Sequence, residues 1–432
     1  MKTLFTNADI LTENNGEYVT IRKGYLGIEN DTIIYVGAEK PAEPYDEIRD
    51  FSEKLLIPGL INGHTHSPMT LLRGLGSDQP LQSWLYDYIF PTEDRLRPQD
   101  IQAGTELALL EMLSTGTTSF TDMYYVTQVT ADACIKAGIK ANLCRPAQEF
   151  DPNGKPENNY RIRESLELFR DYHHAGNDLI RIDFCIHAEY TSNEEMVRYY
   201  SALCNENHGR MHLHLSETKS EHEECIQRHG KTPAEYFLDC GTFRSPTAAA
   251  HCVWVTDSDA DILAENGVTV MHNPTSNMKL GSGFAPVEKF RRKGINVALG
   301  TDGAASNNNL NMFEELHLAS VISNGYRLDA TAMNPAYTFA MATRNGAIQQ
   351  GREDTGSLTV GKKADIVAID LHKPHLYPHS DTLATLAYTA QGSDVCMTMV
   401  NGKVLYENGE FKTLDAERIY ALAKESVEYL GI

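Results

Sequence analysis

LLIPGLINGHTHSPMTLLRG, residues 55–74, contains an apolar run from Leu55 to Ile61 that leads into a pair of histidines, His64 and His66. A run of that length and composition predicts a buried strand. Because side chains at positions i and i+2 of a strand point to the same side, both imidazoles would project from one face at the strand's end. This arrangement is half of a metal site, although two such histidines can equally end a strand with ordinary hydrogen bonds.

Through the middle of the chain, short β-rich runs alternate with helical patterns. Seven further strands are predicted, at residues 117–123, 139–145, 179–187, 210–216, 247–253, 268–274 and 295–303. Helical patterns fill the gaps, for example at residues 101–116, 196–207, 259–267 and 313–325. Eight alternations of strand and helix predict an α/β fold, a (β/α)8 TIM-type barrel. A Rossmann-type sheet is the rival, and it is disfavoured because no GxGxxG motif follows a strand.

Both ends of the chain differ from this middle region. Residues 1–54, 356–371 and 395–411 are short strand patterns separated by turn residues, and VNGKV at 400–404 contains an Asn-Gly pair that favours a tight hairpin. A lone small sheet would leave one face exposed, so one β-sandwich assembled from both termini is predicted. The predicted domains are an N-terminal part of the sandwich (1–56), the barrel (57–352), and the C-terminal part of the sandwich with a terminal helix (353–432).

Polar residues at the strand ends are the candidates for chemistry, because a barrel of this kind builds its active site from those ends. Five of the eight predicted strands end in a histidine, although the chain has only 16. Imidazoles with a carboxylate and no thiolate suit a divalent transition metal such as zinc, which lowers the pKa of a bound water to about 7 and so supports hydrolysis. In chain order the strand-end residues are His64 and His66, Asp122, Arg145, His187, His214 followed by Glu217, His251, His272, and Asp302.

Six blocks of sequence extend beyond the strand ends themselves: PGLINGHTHSPMTLLRG (58–74), WLYDYIFPTEDRL (84–96), HLSET (214–218), AAHC (249–252), HNPTSNMKLGSGFAPV (272–287) and ALGTDGAASNNNLNMFEE (298–315). These blocks resemble the amidohydrolase superfamily and, within it, the family of 5'-methylthioadenosine/S-adenosylhomocysteine deaminases. The resemblance implies zinc-dependent hydrolytic deamination of an adenine nucleoside (5'-methylthioadenosine, S-adenosylhomocysteine, 5'-deoxyadenosine or adenosine) to the inosine product and ammonia.

The resemblance also implies roles for individual residues. One divalent metal, zinc, would be held by His64, His66, His214 and Asp302. Glu217, His251 and Asp302 would be catalytic. The substrate would be bound by Trp84, Glu93, Arg145, His187 and Glu217.

The position of Glu217, three residues after His214, independently suits a carboxylate that takes a proton from water and returns it. Taken alone, Glu217 could be a helix-capping or surface charge, and Asp302 could be a helix N-cap. The mechanistic hypothesis is that Asp302 takes the proton of a water oriented by His251, Glu217 protonates adenine N1, the water oxygen adds to C6, and ammonia leaves. No lysine ends strand four, where many two-metal relatives have a carbamylated one, so one metal per chain is expected.

Substrate choice depends on residues for which the sequence leaves more than one role open. Glu93 could accept hydrogen bonds from both ribose hydroxyls or could be a surface charge at a helix start. In the loop at 148–165, Lys155, Arg161 or Arg163 could meet the carboxylate of S-adenosylhomocysteine. Glu189 stands where the family commonly has proline, and a carboxylate there could select a cationic or hydroxyl-bearing group and exclude an anionic tail.

Composition excludes several classes of partner. The net charge of −21 disfavours nucleic acids and anionic membranes, because both attract cations. No apolar run approaches the roughly 18 residues of a membrane span, and the first residues lack the apolar core of a signal peptide, so a cytoplasmic location is expected. Eight cysteines without a CxxC pair are expected to be reduced thiols in the core.

Two alternative functions remain. The same ligands could serve deamination of another aminated heterocycle, such as guanine or a triazine. A noncatalytic scaffold would have lost metal ligands, and none is missing. The expected partner is a small-molecule nucleoside, and the resemblance to the family implies a homo-oligomer.

Overall fold

The structure is a computed structural model that describes all 432 residues, and its nineteen strands are numbered here in chain order. They are β1 Lys2–Asn14, β2 Glu17–Glu29, β3 Thr32–Gly37, β4 Glu47–Asp50, β5 Lys54–Pro58, β6 Leu60–Thr65, β7 Thr117–Met123, β8 Lys140–Cys144, β9 Pro146–Ala147, β10 Ile180–Ile182, β11 Phe184–Ile186, β12 Met211–Leu215, β13 Thr247–His251, β14 Thr269–His272, β15 Val297–Leu299, β16 Ile366–Asp370, β17 Val395–Val400, β18 Lys403–Glu407 and β19 Glu410–Phe411.

The longer helices include the four that the sequence patterns predict. They are α1 Pro98–Ser114, α2 Thr127–Ala137, α3 Tyr160–Tyr172, α4 Glu194–Glu206, α5 Lys219–His229, α6 Asp257–Glu265, α7 Met312–Arg327 and α8 Ala416–Leu430. Shorter helical segments are Ser67–Leu72, Leu81–Ser83, Trp84–Ile89, Phe90–Glu93, Pro156–Asn158, Ala175–Asp178, Glu189–Thr191, Pro233–Asp239, Thr242–Arg244, Pro274–Lys279, Val287–Arg292, Ala304–Asn307, Pro335–Met341, Arg344–Gln350, Pro374–Leu376, Thr382–Tyr388 and Gly392–Asp394.

Parallel strands separated by helices form the centre of the molecule. They lie in two sheets, ordered β6-β7-β8-β10 and β9-β11-β12-β13-β14-β15. Because β9 directly follows β8 and β11 directly follows β10, the two sheets continue one another along the chain. After β15, the backbone N–H of Asp302 donates to the carbonyl of His64 at 2.9 Å, so the last strand end lies beside the first. The predicted mixed α/β architecture is therefore confirmed.

The predicted strand through Leu55–Ile61 is wrong, because the run is divided at Gly59 into two strands of different sheets. β5 pairs with β1 and β16, whereas β6 pairs with β7. A Cβ atom on Gly59 would lie 2.0 Å from Oγ1 of Thr118, so only glycine allows this close approach. The predicted strand over 179–187 is likewise divided, into β10 and β11, at the buried Asp183.

Both termini contribute to one large sheet, ordered β19-β18-β17-β16-β5-β1-β2-β3, with β4 paired to β1. Fourteen buried apolar residues, among them Phe5, Leu26, Ile366 and Met397, form its own hydrophobic cluster. The predicted Asn-Gly turn connects β17 to β18, and both turn residues have positive φ, 48° at Asn401 and 72° at Gly402. The β-rich ends of the chain are therefore one assembly.

The predicted terminal helix is α8. It packs against α1, and its Leu430 carbonyl accepts a hydrogen bond from Arg95 at 2.8 Å. No helix of the protein is both long and apolar enough to cross a membrane. All eight cysteines are unpaired and seven are buried, as expected of reduced thiols.

Candidate metal centre and substrate cavity

His64 and His66 lie at the end of β6 with their Nε2 atoms directed at the same carboxylate. Those atoms are 3.4 Å and 3.2 Å from Oδ1 of Asp302. His66 Nδ1 donates to the carbonyl of Met123 at 2.6 Å, and a neutral ring with its proton on Nδ1 has a free lone pair on Nε2. His64 is fully buried, and its Nδ1 lies 2.8 Å from Nε2 of His212.

His214, at the end of β12, adds a third imidazole. Its Nδ1 donates to the carbonyl of His187 at 2.7 Å. The available ligand atoms of His64, His66 and His214 all lie within 4.8 Å of one another, and so do those of His64, His251 and Asp302. The structure thus brings together side chains from four strand ends.

Asp302 is held in place by hydroxyl groups. Its Oδ2 accepts hydrogen bonds from Ser276 Oγ at 2.6 Å and from Ser306 Oγ at 3.0 Å. Burial alone would raise the pKa of Asp302, but the imidazole rings of His64 and His66 that face its carboxylate hold it well below its usual range. The carboxylate is therefore ionised at neutral pH.

Glu217 and His251 lie beside this cluster. Nε2 of His251 is 3.8 Å from Oε2 of Glu217, and its Nδ1 is 2.8 Å from Oδ1 of Asn277. Burial raises the pKa of Glu217, so this carboxyl holds a proton more readily than an exposed glutamate. His251 has the left-handed backbone angle φ 73°, a strain of roughly 1–3 kcal/mol of the kind found at functional sites. A carboxyl that can exchange a proton beside an oriented imidazole suits acid–base chemistry.

The donor set fits zinc. It offers three imidazole nitrogens and one carboxylate oxygen without a thiolate, which zinc accepts with an open position. The Nδ1 atoms of His64, His66 and His214 each take part in a hydrogen bond that fixes the orientation of the ring, as is usual around protein-bound zinc. Nε2 of His64 is buried without a hydrogen-bonding partner in the protein, as expected of a ligand atom.

Two adjoining cavities lead to the cluster. The inner cavity, about 60 Å³, is lined among others by His66, Trp84, His187, Glu217 and Asp302. The outer cavity, about 660 Å³, is lined among others by Tyr125, Arg145, Tyr160, Arg161 and Glu164. Phe90, Glu93 and Tyr125 line both cavities, so they form the passage between them.

The four predicted substrate residues outside the cluster divide between these cavities. Trp84 and His187 form walls of the inner cavity, with Trp84 fixed through its indole N–H to the Leu75 carbonyl at 3.1 Å. Arg145 lines only the outer cavity, where its Nε donates to Glu164 at 3.0 Å. Burial raises the pKa of Glu93 to about 7.

The structure gives Glu189 a different environment from the predicted one. It is 1% exposed and lines neither cavity. Arg228 donates to it at 2.8 Å, and a ring nitrogen of His229 lies 2.8 Å from its carboxylate. The position next to His187 in the chain therefore does not bring this carboxylate to the substrate.

Only one of the three basic candidates between residues 148 and 165 reaches a cavity, and two of them, Arg161 and Arg163, lie in α3 and not in the predicted loop. Arg161 lines the outer cavity and stacks on Tyr160 at 4.7 Å. Lys155 pairs with Glu195 on the surface at 2.6 Å, and Arg163 is exposed away from both cavities.

Sequence reasoning missed three supporting residues. His212 could have been found, because it stands two positions before His214 on the same strand and so faces the same side. Glu221 accepts the backbone N–H groups of Ser216 at 2.9 Å and Glu217 at 2.7 Å, and the pattern Thr218-x-x-Glu221 signals a capping role. No sequence signal points to Asn277. His272, also a strand-end residue, lines neither cavity.

Comparisons with known proteins agree with the family predicted from the motifs. The amidohydrolase family model matches residues 55–405. The chain is 43% identical over 420 residues to a 5-methylthioadenosine/S-adenosylhomocysteine deaminase of Thermoanaerobacter pseudethanolicus, covering 97% of each chain. It is 41% identical over 430 residues to a protein of that name from Acetivibrio thermocellus, covering 98% of each.

A solved structure agrees as well. An adenosine deaminase from Xanthomonas campestris with bound zinc superposes with a TM-score of 0.92 at 30% identity, over 99% of this chain and 98% of that one. Sequence and structure thus match over nearly the whole length, and the chain belongs to the amidohydrolase family.

Proposed function

We propose that the protein is a zinc-dependent hydrolase that deaminates an adenine nucleoside to the inosine product and ammonia. The observation that carries the proposal is the cluster of His64, His66, His214 and Asp302, with Glu217 and His251 beside it, at the inner cavity. The names of the relatives at 41–43% identity, and of the zinc-containing adenosine deaminase, support the same reaction.

We also propose that the parallel strands close into a (β/α)8 barrel at residues 57–352, with a sandwich from 1–56 and 353–432. The hydrogen bond from Asp302 to His64 supports closure between the last and first strands. The pairing of β5 with β16 supports a boundary after Pro58, two residues beyond the predicted end of the N-terminal part at residue 56. A cytoplasmic location and a homo-oligomer stay predictions.

His64, His66, His214 and Asp302 would hold the zinc ion. When bound, zinc supplies Lewis acidity and lowers the pKa of a water at its open position to about 7. Asp302, as an ionised carboxylate, would take a proton from the attacking water, and His251, fixed by Asn277, would orient that water.

Glu217 is the proton donor to the substrate. Its raised pKa suits a carboxyl that protonates adenine N1 and later receives a proton again. The water oxygen forms a bond to C6, and the C6–N6 bond breaks with both electrons leaving on nitrogen. The departing nitrogen takes up a proton, so adenosine and water give inosine and ammonia.

A bound nucleoside would extend through both cavities, with its base toward the inner cavity and its 5'-substituent in the outer one. The edge of the purine ring that carries N1 and C6 would enter the inner cavity near Glu217 and His187, and Glu93 in the passage would accept hydrogen bonds from the ribose hydroxyls. The outer cavity of about 660 Å³ has room for a 5'-substituent. Arg145 and Arg161 line it together with the acidic Glu164, so it can receive uncharged as well as zwitterionic tails.

A substrate panel tests this function. Zinc-loaded protein is expected to release ammonia from 5'-methylthioadenosine, S-adenosylhomocysteine, 5'-deoxyadenosine or adenosine with a higher kcat/KM than from guanine or aminotriazines. Ammonia release and the absorbance change of adenine to hypoxanthine measure the rates. Faster turnover of guanine or a triazine would favour the alternative that the protein deaminates another heterocycle.

Metal stoichiometry gives a second expected result. Elemental analysis should find about one zinc per chain, because the clustered ligand atoms suit one ion. Removal with a chelator should abolish ammonia release, and one equivalent of zinc should restore it. A content near two per chain would contradict the single-metal centre.

Glu93 should make substrate binding depend on pH. An ionised carboxylate accepts two ribose hydroxyls, whereas a protonated one has lost an acceptor, so KM should fall as pH increases through about 7. Glu93→Gln should raise KM roughly 10- to 100-fold, the cost of a hydrogen bond to a charged group, and abolish that inflection in KM. The exposed Asp87→Asn is the control and should keep the inflection. An unchanged pH profile in Glu93→Gln would reject the assignment.

A further inference from the structure

His212 is a buried histidine that pairs with the first proposed metal ligand. It lies on β12 two residues before His214 and is 0% exposed. Its Nε2 is 2.8 Å from Nδ1 of His64, and the two rings meet edge to edge in nearly parallel planes, with centroids 5.0 Å apart and an interplanar angle of 14°. His212 belongs to neither group of clustered ligand atoms.

His212 is a different kind of hydrogen-bonding partner from those of His66 and His214. His66 and His214 direct Nδ1 at backbone carbonyls, which only accept hydrogen bonds. Each carbonyl therefore requires a proton on Nδ1 and leaves a lone pair on Nε2, the form that binds a metal. The Nε2 of His212 can accept or donate, so it permits either tautomer of His64.

The two proton arrangements have opposite consequences. If His64 donates from Nδ1 to His212, its Nε2 keeps a lone pair for the metal. If His212 donates from Nε2, His64 carries its proton on Nε2, which then points at Asp302 Oδ1, 3.4 Å away, and cannot bind a metal. The choice is made between two fully buried rings, where solvent does not supply an alternative partner.

We infer that His212 is a positioning residue that accepts the Nδ1 proton of His64 and thereby keeps this ligand in its metal-binding tautomer. The inference rests on the proposed metal centre. The His212 side chain would thus accept the Nδ1 proton of His64, as backbone carbonyls accept those of His66 and His214. Loss of the acceptor would lower metal retention, since removal of such hydrogen-bonding partners typically costs 10- to 100-fold in metal affinity.

The test compares zinc retention in three proteins by competition with a chromogenic chelator. His212→Leu removes the acceptor and should raise the apparent zinc dissociation constant roughly 10- to 100-fold. His212→Gln offers an amide oxygen near the position of Nε2 and should stay within about threefold of wild type. His272→Leu, which removes another buried strand-end histidine outside both groups of clustered ligand atoms, should also stay near wild type.

A second measurement does not depend on any variant. In zinc-loaded wild-type protein labelled with ¹⁵N-histidine, the signals of His64 should show a protonated Nδ1 hydrogen-bonded to a nitrogen of His212. A zinc-loaded His64 whose Nδ1 shows no hydrogen-bond coupling to His212 would overturn the inference. So would wild-type zinc affinity in a folded His212→Leu, or an equal loss in His272→Leu. Absence of zinc from wild-type protein would instead reject the proposed centre itself.

Discussion

Glu217→Gln is expected to lower kcat for ammonia release roughly 10²- to 10⁴-fold, the usual contribution of a general acid–base group. The amide has nearly the same shape and can still contact Ser282, which lies 3.3 Å from the carboxylate, but it cannot give a proton to adenine N1. KM should change little because the walls of the inner cavity remain. Stopped assays of ammonia at saturating nucleoside measure the effect.

The matched control for this variant is Glu223→Gln, an exposed glutamate six positions later on α5. It should retain wild-type kcat. Zinc content should be unchanged in both variants, because Glu217 is not one of the clustered ligand residues. A Glu217→Gln protein with near-wild-type turnover would remove the proton-donor assignment while leaving the metal centre intact.

Asp302→Asn is expected to reduce both zinc content and turnover. The substitution removes the ionised group that faces His64 and His66, and it leaves a neutral amide between Ser276 and Ser306. Loss of a general base alone costs roughly 10²- to 10⁴-fold in rate, so activity should fall by at least about 10³-fold when ligand loss is added. Elemental analysis and ammonia release measure the two effects separately.

Excess zinc separates the two roles of Asp302. If the residue is only a ligand, saturating zinc should restore kcat. If it also takes the proton of water, kcat should stay low when the site is filled, and that result is expected here. The exposed Asp329→Asn is the control and should match wild type in zinc content and rate.

Much of the candidate site could be predicted from the sequence because it depends on local rules. The i, i+2 spacing of His64 and His66 places both side chains on one side of β6, and strand ends of a parallel α/β fold face the same edge. The same rule includes His214, His251 and Asp302 among the strand-end candidates, and the resemblance to the family distinguishes them from others such as His272. Residues that act at strand ends are thus identifiable before any long-range contact is known.

Contacts between side chains that are far apart in the chain could not be predicted from the sequence. Glu189 is two residues from His187, which suggests a substrate contact, yet Arg228 and His229, 39 and 40 positions away, engage its carboxylate. Asn277 reaches His251 from a different segment of the chain. Neither contact leaves a periodic pattern in the sequence.

By itself, the sequence determined the alternation of strands and helices, the β-rich character of both ends and the set of imidazoles and carboxylates at the strand ends, because periodicity and side-chain direction are properties of neighbouring residues. Only the tertiary structure decided where the run from Leu55 to Ile61 divides, since Gly59 must pass close to Thr118. It alone decided the partner of His64, since His212 is 148 positions away and the contact exists only after both strands are packed in the core.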